Sequence, residues 1–109
     1  MKRNLMAQVP DSVITIAVET AKFQANKLIC EIKNKPSADR TKADQMLLEV
    51  FGVTHVKGLH YFEVIMNRCQ GWENLALIDH TIDRDEIQKV TKYVTQLIRD
   101  YAQMMDLLA

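Results

Sequence analysis

A chain of 109 residues, 48% of them hydrophobic and with a formal net charge of zero, has the size of one domain around one core and is too apolar for a disordered segment. Three Gly and two Pro are too few turn formers for an all-β protein, so a few long elements are expected. Charge is uneven: residues 1–60 carry nine Lys or Arg against six acids, and residues 61–109 five against eight, which permits an anionic partner on the N-terminal side without requiring one.

The opening MKRNLMAQVPDS meets Pro10 and Asp11 before any apolar segment of signal-peptide length, and no apolar run approaches the ~20 residues that cross a bilayer. A cytoplasmic chain is expected, with residues 1–10 a flexible lead-in to a single helical domain over residues 1–109. Cys30 and Cys69 form no C-x-x-C pair and read as two reduced core thiols.

The first helix is expected from Ser12 to Lys35, capped by Asp11 or Ser12. Ile14, Val18, Ala21, Ala25, Leu28 and Ile32 recur at steps of three and four on one stripe. VITIAV alone could form a strand, but no turn residue separates it from the helical run that follows. Pro36 ends this helix and Ser37 is placed to cap the second, which carries Ala43, Met46, Leu47, Val50 and Phe51 on one face. Gly52 suits a left-handed C-terminal position. Thr54 then caps a third helix that ends at Gly71, and a short connecting helix follows with Trp72, Leu75 and Ile78 inward.

The last helix has the clearest pattern. Asp83 and Glu86 have capping-box spacing. Ile87, Val90, Val94, Leu97, Tyr101, Met104 and Leu108 repeat at three and four, with Ile98 and Met105 widening the stripe. Lys89, Lys92, Gln96, Arg99 and Gln103 make its polar reverse. Met46, Met66, Met104 and Met105 sit on apolar stripes as adaptable core filler.

Catalytic constellations are missing from this sequence. Both serines sit at helix starts and not in a Gly-flanked elbow, and there is no Gly-rich phosphate loop. His55, His60 and His80 lack partners at metal-ligand spacing, and His60 with Glu63 makes only a surface polar pair. DHTIDRDE, residues 79–86, lacks the alternating acids and central Gly of a calcium loop, and its acids serve the positive end of the last helix. No enzyme activity, metal or cofactor is expected.

LLEVFGVTHVKGLHYF, residues 47–62, resembles the turn of a helix-turn-helix module, with Gly52 at the turn and Thr54 starting the second helix. That resemblance implies a DNA-binding regulator. Thr54, His55, Lys57, His60 and Tyr61 would read bases, with Arg40 and Lys42 near phosphates. Against it, Gly58 would fall inside a helix. Leu59, Tyr61, Phe62, Val64, Ile65, Met66 and Cys69 also leave that helix only a narrow polar strip, whereas a groove reader needs a broad one.

The sequence therefore predicts an all-α bundle of four main helices plus one short connecting helix. Its expected function is non-enzymatic, a small regulatory or adaptor protein acting through protein contacts as a homodimer. The candidate interface lies on the last helix, at Tyr93, Val94, Leu97, Tyr101, Met104 and Met105.

Overall fold

The computed structural model describes residues 10–108, so the expected lead-in over residues 1–10 lies, apart from Pro10, outside the described part. Four α-helices and one 3-10 turn follow in order: α1 Asp11–Lys33, the turn Ser37–Asp39, α2 Lys42–Phe51, α3 His60–Ile78 and α4 Arg84–Leu108. No strand occurs among the described residues, and VITIAV belongs to α1.

Backbone rather than a side chain starts α1: the Pro10 carbonyl accepts from the N–H of Val13 and of Ile14. Ala17, Val18, Ala21, Ala25, Ile29 and Ile32 are buried, so the expected stripe points inward, and its small residues let neighbouring helices come close. Arg40 closes the other end, donating from its guanidinium to the carbonyls of Ile32 and Lys33 at 3.3 Å each. Those carbonyls have no partner within the helix.

The cap of α2 is Thr41, not Ser37, which instead opens the 3-10 turn after Pro36. Thr41 Oγ1 accepts from the Asp44 N–H and Asp44 Oδ2 from the Thr41 N–H, both at 3.1 Å. Lys35 Nζ donates to the same carboxylate oxygen at 3.0 Å. Burial opposes ionisation of Asp44, but the Thr41 N–H and the Lys35 ammonium outweigh it and hold the carboxyl below its ordinary range.

Three expectations about the middle of the chain are corrected. Gly52 is not left-handed; its φ is −72°, and glycine fits there because a Cβ would lie 2.8 Å from the Leu48 carbonyl oxygen. The third helix begins at His60, not Thr54, and residues 52–59 form an irregular connection. Val53 is drawn into the core, and Gly58 takes φ 63°, which no α-helix interior accommodates. Gly58 is thus a turn residue and not a flaw in a helix.

At its other end α3 runs through Gly71 to Ile78, so the short helix expected after Trp72 is the last part of α3. Its phase carries Tyr61, Phe62, Ile65, Cys69 and Ala76 inward, which leaves Leu75 and Ile78 exposed rather than buried. Trp72 is half-buried, its indole N–H donating to Glu49 Oε2 at 2.9 Å.

Asp83 caps α4, but not through the capping box expected with Glu86: its carboxylate accepts at 2.9 Å from the N–H of Asp85. Ile87, Val90, Val94, Leu97 and Met105 are buried against the other three helices. α2 and α4 separate α1 from α3 over most of their length. α1 and α3 meet where Lys22 Nζ stands 5.2 Å from the centre of the Tyr61 ring.

Candidate interaction surface

On α4, the six candidate interface residues divide into two groups. Val94, Leu97 and Met105 are buried in the chain's own core, so its helical stripe is consumed by the bundle. Tyr93, Tyr101 and Met104 remain partly exposed, and the two tyrosines border a shallow groove with Gln24, Gln96 and Asp100. Burial pushes both phenols up, with the neighbouring Tyr101 adding to the effect at Tyr93 and Asp100 at Tyr101. The ring of Phe51 meets Tyr93 edge-on at 6.3 Å, which fixes the direction of the Tyr93 side chain.

The candidate DNA-reading residues do not share one helical face. Thr54, His55 and Lys57 sit exposed on the connection, and the Thr54 carbonyl accepts from Lys22 Nζ at 3.0 Å. His60 is exposed at the start of α3, its ring 3.0 Å from Glu63 Oε2. Tyr61 is 0% exposed. Burial raises its phenol to about 12, with Glu19 and then Tyr93 adding to the shift, and its hydroxyl has no hydrogen-bond partner among the described residues. Arg40 is committed to the end of α1, while Lys42 is exposed. The turn of a helix-turn-helix spans about three to four residues, whereas eight residues, 52–59, separate α2 from α3.

Cys69 is buried, its thiol pushed up to about 12 by burial and by Glu73, while Cys30 lies exposed on α1 and is not the core thiol expected. Asp79 accepts from the N–H and hydroxyl of Thr81, a turn that explains the low pKa of its carboxyl. No group of three or more His, Cys, Asp or Glu is placed to hold a metal ion among the described residues, and none of their helices is long and apolar enough to cross a membrane.

Besides Tyr93, α4 exposes Leu107 near its end, and further exposed apolar side chains lie on α1 and α3. Phe23 is 62% and Ile16 56% exposed on α1, and Leu77 and Ile78 end α3 at 58% and 77%. Met66 stands beside Phe62 and Ile98 in an open groove between α3 and α4. Ile16 and Phe23 are absent from the expected interface. Their seven-residue spacing on the side opposite the inward stripe is the signal that would have found them. No protein-family model, no curated protein and no solved structure matches the chain.

Proposed function

We propose that the chain is a small, cytoplasmic, non-enzymatic regulatory or adaptor protein that works through helix-surface contacts with protein, itself included as a homodimer. The observation that carries this is the set of large apolar side chains left outside a finished core. Ile16, Phe23, Leu77 and Ile78 are each more exposed than core packing requires. Ile16 and Phe23 share the outward side of α1, and Leu77 and Ile78 are neighbours at the end of α3; exposed apolar area shared along a helix side favours a protein contact. The alternative, a DNA-binding regulator, has less support because Tyr61 is enclosed and Arg40 already engaged.

Light scattering across a dilution series, beside fluorescence anisotropy with mixed duplex DNA at low salt, tests the choice. The expected result is a mass that rises with concentration towards twice 12.6 kDa and no DNA binding. A strict monomer at every concentration removes the homodimer. DNA binding that weakens steeply with salt and is lost in Lys57→Glu establishes the alternative.

A further inference from the structure

The outward face of α1 carries Ile16, Phe23 and Cys30 at steps of seven residues, all exposed and opposite the buried Ala21, Ala25 and Ile32. A seven-residue step keeps side chains in line along a helix that pairs with another. Glu19, Thr20, Asn26 and Lys27 frame Phe23, one turn before and one turn after it. Glu19 is largely exposed with Lys22 Nζ of its own helix 3.4 Å from its Oε1, so a second cation would share the carboxylate, and Lys27 Nζ lies 4.9 Å from the Phe23 ring centre, over its face.

We propose that two copies of the chain join through the outward faces of α1, running antiparallel about a twofold axis at Phe23. The proposal rests on the homodimer reading above and places the seam on α1 instead of α4. The charge pattern selects both occupant and direction. With Phe23 against Phe23 in antiparallel helices, Glu19 stands opposite Lys27 of the second copy, and by symmetry the pair forms twice. Asn26 of the second copy then lies beside Glu19 and Thr20 beside Lys27, and Ile16 meets Cys30. A parallel pairing sets Glu19 against Glu19 and Lys27 against Lys27, so the same residues that favour one direction oppose the other. Antiparallel helices also oppose their end charges favourably. On forming the pair, Lys27 leaves the face of its own Phe23 for Glu19 of the other copy, and the two rings pack together.

α1 has 23 residues, a face about 35 Å long at ~1.5 Å per residue. One helix pair of that length lies at the low end of stable interfaces, so the dimer dissociates on dilution.

The test is sedimentation across a dilution series together with cysteine pairing under diamide oxidation. Phe23→Glu is expected to give a folded monomer, its fold checked by circular dichroism. Glu19→Lys or Lys27→Glu alone is expected to weaken the dimer roughly tenfold, since two attractions become two repulsions. The double swap, Glu19→Lys with Lys27→Glu, is expected to restore it. Ile16→Cys should give a covalent dimer through the native Cys30, and Ile16→Cys with Cys30→Ser should give none. A dimer that ignores Phe23→Glu, or a double swap no tighter than the single ones, overturns the seam while leaving the homodimer in place. Covalent dimers from Ile16→Cys with Cys30→Ser overturn the antiparallel direction. A wild-type chain that never dimerises overturns the seam and the homodimer together.

Discussion

α1 and α4 are the two longest helices, and both supply core residues, yet they divide their surfaces in opposite ways. α4 keeps most apolar and polar residues on separate sides: Ile87, Val90, Val94 and Leu97 go inward, and Lys89, Lys92, Gln96 and Arg99 face water, with Tyr93 and, near the helix end, Leu107 as exposed exceptions. α1 buries a narrow strip of mostly small residues and still carries Ile16 and Phe23 on its far side. The cleaner pattern belongs to the helix whose apolar stripe is mostly satisfied within the chain. The untidier helix keeps apolar area in reserve.

The largest expected effect separates the inner from the outer side of α4. Val94→Asp places a carboxylate where the side chain is fully enclosed, and should cost more than about 4 kcal/mol or abolish folding, as read by urea denaturation. An ordinary cooperative transition in that variant would break the assignment of the α4 stripe to the core.

Next in size is an alkaline effect at Tyr61, which sits under Lys22 of α1 and feels charge from Glu19 and from Tyr93 of α4. Its phenol ionises at an ordinary 10 when unfolded and at about 12 when folded. Below pH 10 both states hold the proton and stability is unaffected. Above it the unfolded chain releases the proton first, so stability falls as pH rises towards 12. One pKa unit corresponds to ~1.4 kcal/mol, so the fall at Tyr61 is about 2–3 kcal/mol. Cys69 adds a fall in the same direction, starting near its ordinary 9. Denaturation midpoints between pH 8 and about 12 should drop steeply in the wild type and more gently in Tyr61→Phe; equal slopes would show that the phenol is not held neutral where the helices meet.

Two glycines give smaller effects of opposite sign. Gly58→Ala should destabilise by about 1 kcal/mol through its left-handed backbone, and Gly71→Ala should stabilise by up to ~1 kcal/mol as an open position inside α3. Thermal melts of both variants check the boundary between connection and helix. The last contrast sets the outer sides against each other: Tyr93→Ala should leave self-association unchanged, whereas Phe23→Ala should weaken it. Sedimentation reversing that order would return the seam to α4.

The all-α architecture and most of the core were legible because burial acts on helical periodicity. Val18, Ala21, Ala25, Met46, Val50, Phe51 and, on α4, Ile87, Val90, Val94, Leu97 and Met105 are buried where spacing put them, while Tyr101 and Met104 are half-buried and the side chain of Leu108 lies outside the described part. Boundaries in the middle were not. Thr54 and Gly58 fit a capped helix as readily as a turn when only residue types are known. The left-handed turn at Gly58 and the burial of Val53 depend on tertiary packing. Gly71 misled in the reverse sense, since packing on both sides of it carries α3 through a weak former. The exposed face of α1 went unseen because apolar residues on two sides blur a search for one stripe. Its significance shows only once Ala17, Ala21 and Ala25 are known to point inward.

The clasp between α1 and α2 bears on how the chain reaches its native state. Lys35 with Asp44, and Arg40 with the end of α1, join residues no more than nine positions apart, with the Thr41–Asp44 cap between them. Closing so short a stretch loses little chain entropy, so this hairpin can assemble early and template the docking of later helices. Asp44→Ala should therefore slow the refolding arm of a chevron plot more than it speeds the unfolding arm. The opposite partition would mean that nucleation starts elsewhere in the sequence.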